Sequence, residues 1–293
     1  MRKIRRASFI FFMTVPAFIG YCYFGILPYI KGFYYSMFKW SGYTQVMNFV
    51  GLGNFKRLAG DKNLFNALYN NAVIFFISTI VTFVLALFFA VVITRSRFKE
   101  TLLYRITYFF PYVMPTVAIA ILWRFIFNPS VGILNGLLTA LKLESLTHAW
   151  LGERTTVLGA VTVPVIWGSL GFFMVLFISG IQSIPITFYE AAQIDGAGEF
   201  QQFTRITFPL LWEIMRTMIV FFISSSIGCF ALVRVMAGLS NPAAEVLGTY
   251  MYKHAFQYTD FGYGTAIGVF IFVLTLGLAL LMRRLTRREI IEY

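Results

Sequence analysis

Six stretches of this chain, 8–30, 73–93, 106–127, 157–181, 210–233 and 263–282, are apolar and almost free of charge over the length of a bilayer crossing. A hydrocarbon core about 30 Å thick needs about 20 apolar residues in one helix. No soluble domain hides six such segments, so lipid is the solvent this sequence is written for. Composition agrees: 59% of the 293 residues are hydrophobic and 12% are charged, against about 25% charged in soluble domains. Arg124 near the end of the third stretch, and Glu213 and Arg216 near the start of the fifth, blur those boundaries.

The net charge of +12 does not point to nucleic acid, whose ligands gather Lys and Arg on one face. Here the basic residues flank the apolar segments. Arg2, Lys3, Arg5 and Arg6 precede the first, and Arg283, Arg284, Arg287 and Arg288 follow the last. The positive-inside rule then expects both termini in the cytoplasm, which six spans satisfy. Arg95, Arg97, Lys99, Arg105, Arg205 and Arg216 fall on the same side, while Lys31, Lys39, Lys56, Arg57 and Lys62 fall in the first outer loop. The first stretch exceeds the 7–15 residues of a signal-peptide core and is read as an uncleaved helix. Cys22 and Cys229 both lie within expected helices, and His148 and His254 are far apart, so neither a disulfide framework nor a metal cluster is expected.

The expected organisation is an all-α polytopic membrane protein. A first helix and outer loop occupy 1–70, a transport core 71–284, and a tail 285–293. Pro111 and Pro115 interrupt the third helix early, which lipid tolerates only where protein or water satisfies the freed backbone groups. The fourth carries Trp167, Gly168, Ser169 and Gly171, and the run at 244–256 is compatible with a helix.

Between the fourth and fifth stretches, 183–209 reads SIPITFYEAAQIDGAGEFQQFTRITFP, two short helices joined at a turn. Thr187 and Glu190 have capping-box spacing. Asp195 and Gly196 suit a left-handed helix end, and Pro209 can open the next helix. Phe200, Phe203 and Ile206 recur every third residue and would form an apolar stripe beside Glu190, Asp195 and Glu199, as a docking surface requires.

Glu190, Ala191 and Ala192, then Gly196, Ile206 and Pro209, match the EAA-x3-G-x9-I-x-x-P loop, and the chain from about 71 to 284 resembles binding-protein-dependent ABC importer permeases. The resemblance is nearest to the maltose-type and glycerol-phosphate-type branch, with a weaker echo in VGLGNF at 50–55. Phe208 stands where that family often has Leu. The resemblance implies a type I importer transmembrane domain in a bacterial inner membrane, and a coupling role for Glu190, Ala191, Ala192, Asp195, Gly196, Phe200, Phe203, Ile206 and Pro209. It implies two ATPase subunits that bind ATP and Mg, an extracytoplasmic solute-binding protein, and a second, similar permease in a heterodimer. No cofactor is implied in this chain. Glu190 as a helix cap and Glu190 as a docking contact are compatible.

By the same resemblance, Tyr112 and Thr116 in PYVMPT, and Trp167 and Phe172 on the fourth helix, stand where maltose-type permeases line their solute path. Phe222, Ser226 and Cys229 take the corresponding places on the fifth, with fewer amides than that family has. Each has a plainer use: Ser224, Ser225 and Ser226 in close helix packing, Trp123 and Trp167 in the core or at the interface.

Three other functions fit less well. An ion-coupled carrier keeps ionisable relays inside its spans, and the second, fourth and sixth stretches hold none. An intramembrane enzyme would show a paired acid and base. A channel has no use for a loop shaped to an ATPase. The chain also lacks G-x-x-x-x-G-K-[ST], so nucleotide energy would come from a partner.

Overall fold

The computed structural model describes residues 2–95, 101–239 and 241–286, and the side chains from residue 9 onward except that of Ser226. Arg97, Lys99, Arg287 and Arg288 lie outside the described residues. Four single helices are long and apolar enough to cross a membrane: Phe9–Tyr35, Lys62–Arg95, Val157–Ser183 and Phe261–Leu285. Two further spans are bent pairs, Thr101–Val113 with Thr116–Ile126 at 98°, and Glu199–Leu210 with Trp212–Ser225 at 59°.

These spans match the six apolar stretches, and the differences have local causes. The second begins at Lys62, well before the apolar run, because its polar residues are used inward. Ala67, Asn70, Asn71, Ile74, Ser78, Thr82, Ala86, Ala90 and Ile93 form one buried helical face. The third is two helices rather than one. Pro115 lacks an N–H, and a residue before proline avoids helical ψ, so the chain turns at Met114–Pro115. The fifth stretch is likewise interrupted, Trp212–Ile227 giving way to Phe230–Ala237 around Gly228 and Cys229. Within the expected run at 244–256 the helix covers Leu247–Tyr252 and continues as a wider π turn, Lys253–Gln257.

Contacts divide the chain into two compact units. The larger comprises Phe65–Thr249 and Leu274–Tyr293. One of its cores joins Ala86, Phe173, Met174, Phe177, Leu211, Met218 and Phe222. Two glycines set the approach of its helices. A Cβ at Gly171 would strike the Tyr108 carbonyl, and one at Gly180 would strike Leu211 and Ile214. Close approach through small residues is how helices gain contact in lipid, where burial of apolar area supplies little drive. Polar side chains complete the backbone: Asn70 Nδ2 donates to the carbonyls of Ala243 (3.2 Å) and Glu245 (2.8 Å), and Asn71 Oδ1 accepts from Leu247 N–H at 2.8 Å.

The smaller unit comprises Met1–Leu64 and Tyr250–Val273. A two-residue hairpin pairs Phe38–Lys39 with Asn48–Phe49, and Asn54 Nδ2 donates to the carbonyls of Ser36 and Phe38. The Asn of VGLGNF is thus a structural clamp. Asp61 is the joint of this unit. Its carboxylate caps the helix starting at Lys62 through the N–H groups of Asn63 and Leu64 and accepts from Tyr250 and Tyr263 at 2.6 and 2.5 Å. Burial pushes its pKa up, but the hydrogen bonds from both tyrosines and both amides outweigh that and hold it below 3.8. Arg57 lies 3.9 Å over the Tyr263 ring and pairs with Asp260 at 2.6 Å. Buried His254 sits edge-on to Tyr250, Tyr258 and Tyr263.

Asp61→Ala should lower the thermal transition of the purified chain, by about 2–3 kcal/mol for the lost cap and charged hydrogen bonds; an unchanged transition would contradict the joint. Burial first, and Arg57 second, lower the His254 pKa from 6.5. Its contribution to stability is therefore complete above that value and is lost as pH falls from there through the lowered folded value. Thermal scans should show wild type weakening over that window and His254→Gln weakening less; parallel profiles would assign the acid sensitivity elsewhere.

Candidate coupling loop and solute path

The loop after the fourth span opens with helix Ile186–Ile194, whose N-cap is Pro185 without a side-chain cap. Thr187 is already inside the helix, so the expected capping box with Glu190 does not form. Glu190 is exposed and has no capping duty. The helix end is as expected. Gly196 has φ +77°, Ala197 N–H bonds back to Ala192 O at 2.8 Å, and Gly196 N–H to Gln193 O at 3.0 Å. This pair of bonds is the Schellman closure. It explains the spacing of the motif: Ala192 supplies the carbonyl that the turn must reach, and Gly196 supplies the left-handed residue.

The second helix runs Glu199–Gln202 and widens into a π turn at Phe203–Thr207 before Phe208–Leu210. Gln201 accepts from Gly198 N–H at 3.2 Å, which satisfies one free donor at this helix start. Pro209 stands in the first turn of the short helix Phe208–Leu210, just before the 59° bend, and the next long helix begins at Trp212.

The loop is tied within itself and to the second span. Tyr189 Oη and Thr207 Oγ1 are 2.9 Å apart, and Gln202 Nε2 donates to Ala197 O at 3.0 Å. Arg95 reaches from the second span to the Glu199 carbonyl at 3.3 Å. A polar cleft of 790 Å³ lined by Thr94, Arg95, Gln182, Tyr189, Gln193 and Gln202 lies beneath. On the other side the loop shows apolar groups. Phe200 is 78% exposed, while Phe203 and Ile206 are half-buried, since the π turn rotates them out of register. Ile194, 87% exposed, was not among the expected docking residues. Its signal in the sequence was an isolated apolar residue directly before Asp195–Gly196. Glu190, Ala191, Asp195 and Gly196 are exposed and Ala192 is half-buried.

The residues expected along a solute path separate into groups. Tyr112 stacks on Phe172, with centroids 4.5 Å apart and planes 15° apart, and both Tyr112 and Thr116 are exposed. Trp167, half-buried, meets Trp123 edge-on at 5.9 Å. The indole N–H of Trp123 is shielded and has no acceptor among the described residues. Phe222 has 0% exposure and packs on Phe173 and Phe83. Cys229 is buried and accepts from Asn71 Nδ2 at 3.8 Å, so both line the packed interior. The side chain of Ser226 lies outside the described residues. No group of three His, Cys, Asp or Glu side chains among the described residues could hold a metal.

Residues 82–291 match the family described as binding-protein-dependent transport system inner membrane component. The chain belongs to this family. It is a membrane-embedded permease subunit, not an enzyme, as the EAA loop implied. The permease is 35% identical over 96% of its length to the diacetylchitobiose uptake system permease protein NgcF of Streptomyces coelicolor, covering 84% of that protein. It is 34% identical to the probable ABC transporter permease protein YurN of Bacillus subtilis, with 94% of each chain covered. To the trehalose/maltose transport system permease protein MalF of Thermococcus litoralis it is 27% identical, covering 97% and 96%. Its fold is that of a chain in a crystal structure of a bacterial ABC transporter involved in the import of the acidic polysaccharide alginate, with TM-score 0.85, 23% identity and 98% of both chains covered.

Gly196→Ala in the permease forces an L-residue into the left-handed region at about 1–2 kcal/mol. Amide exchange at Ala197, whose N–H seals the turn, should quicken about tenfold; an unchanged rate would mean the turn is held by something else.

Proposed function

We propose that the permease is one of two similar but different membrane subunits of an importer for sugars or oligosaccharides, and that 183–209 is the element through which ATP hydrolysis drives it. The observation that carries this is the exposure of Ile194 and Phe200 on either side of the Gly196 turn, on a loop whose two halves are braced by internal hydrogen bonds. Two exposed large apolar groups on a rigid polar frame are the usual anatomy of an interface centre. In this reading the turn seats in a cleft of an ATPase subunit. Glu190, Ala191, Asp195 and Gly196 form its outward face, and Ala192, Phe203, Ile206 and Pro209 set its shape. ATP and Mg are held by a pair of such ATPases, and an extracytoplasmic binding protein delivers solute. Both termini are then cytoplasmic, with Arg283 and Arg284 closing the last span, and 71–284 acts as the transport core between the 1–70 and 285–293 segments.

The sugar class rests on what the relatives are named for, diacetylchitobiose, trehalose and maltose, and on the aromatic pairs. Tyr112 with Phe172, and Trp167 with Trp123, offer flat faces to pyranose rings. Exposed Thr116 supplies a directional hydroxyl of the kind such a pocket needs. The path proposed here uses these residues and Ser226; Phe222 and Cys229 support its wall from behind.

In proteoliposomes containing the whole complex, Glu190→Lys and Gly196→Pro should insert normally yet lower solute-stimulated ATP hydrolysis by about tenfold, the loss of one interface anchor. Full coupling in both variants would reject the docking role. Trp167→Ala should raise the KM for uptake, and wild-type kinetics would remove that residue from the path.

A further inference from the structure

The cleft at the end of the second span opposite Arg95 belongs to neither the loop nor the path. It has a volume of 580 Å³ and is walled by Asn66, Tyr69, Asn70, Arg154, Asn241 and Pro242, within the range of small-ligand sites. Its frame is fixed. Asn70 is tied to the carbonyls of Ala243 and Glu245, and Asn241 Nδ2 donates to the Leu151 carbonyl at 3.2 Å while its Oδ1 accepts from Ala243 N–H at 3.1 Å. Against this frame stand groups left open. Tyr69 is 67% exposed, and Asn66 and Arg154 are exposed with no hydrogen bond or ion pair among the described residues.

We infer that this cleft is a saccharide subsite, separate from the transmembrane path, that receives one or two sugar units. Three features select that ligand class. A tyrosine face provides an apolar platform for the C–H side of a pyranose. The free amide of Asn66 both donates and accepts, as a ring of hydroxyls requires. Arg154 donates in a planar fork, which favours units bearing acceptor-rich substituents such as acetamido or carboxylate groups. A concave site with pinned walls suits a small rigid ligand better than the broad, flatter contact of a protein partner. The inference rests on the sugar-importer reading. Under the orientation proposed above the cleft opens outward, where solute arrives.

The test uses the whole importer complex in nanodiscs of zwitterionic lipid, without binding protein. Maltose, diacetylchitobiose and an alginate trisaccharide are probed one at a time by saturation-transfer NMR. At least one should bind, Tyr69→Ala and Arg154→Gln should each weaken it about fivefold or more, and Tyr69→Phe should retain it. Size-exclusion profile and thermal transition identify any variant that fails to fold, in which case Tyr69→Phe against Asn66→Ala decides. Undiminished binding in correctly folded variants overturns the subsite. If no probe binds yet the complex, supplied with its binding protein, imports one of them, the subsite falls and the sugar reading stands. If no probe is bound or imported, both fall.

Discussion

In hydrocarbon an unpaired backbone N–H or C=O has no water to turn to, and every other feature of this permease follows from that constraint. It makes each span a helix. It also dictates what happens where a helix stops. The carbonyls of Ala243 and Glu245 and the amide of Leu247, all in a non-helical or helix-starting segment, are met by Asn70 and Asn71 on the second span. Polar residues that interrupt an apolar pattern are therefore the partners of backbone elsewhere. The same logic places Asn54 against the Ser36 and Phe38 carbonyls, and Asp61 at the head of the second span.

The coupling loop turns the constraint to use. In the proposed reading, force passes from a soluble partner into the spans through this loop, which requires the loop to be stiff. Stiffness here comes from closure at both helix ends, Schellman bonds around Gly196 and the Gln201 contact to Gly198, from the Tyr189–Thr207 bond between the two halves of the loop, and from the tie of Arg95 on the second span to Glu199. The π turn at Phe203–Thr207 and Pro209 then lead directly into the bend before Trp212. In the reading proposed above, a push on the turn would reach the base of the fifth span, which packs through Leu211 and Met218 into the core shared with Phe173 and Phe177.

The spans and their approximate places were legible because hydrophobic length is a one-dimensional property. The EAA loop was legible because a left-handed turn needs Gly at one position relative to the carbonyl it must reach, which leaves a fixed spacing. The break at Pro115 was legible from the chemistry of proline, although the 98° between its two halves was not. The capping box at Thr187 was misread because the helix starts two positions earlier, with Pro185 as its N-cap. That Phe222 and Cys229 are buried was not legible, because a helix pattern says which residues share a face, and only neighbouring helices say whether that face is packed.

By itself, then, the chain's order of residues determined that this is a six-span helical membrane protein with a shaped loop between spans four and five, since length, hydropathy and turn chemistry act locally. Tertiary structure alone decided which polar residues serve backbone and which stay free, that Ile194 and Phe200 are the most exposed of the loop's large apolar groups, and that Tyr112 meets Phe172. Those outcomes depend on side chains far apart in sequence sharing one volume, and on the local winding of a helix through a π turn, neither of which is encoded in any single window of the chain.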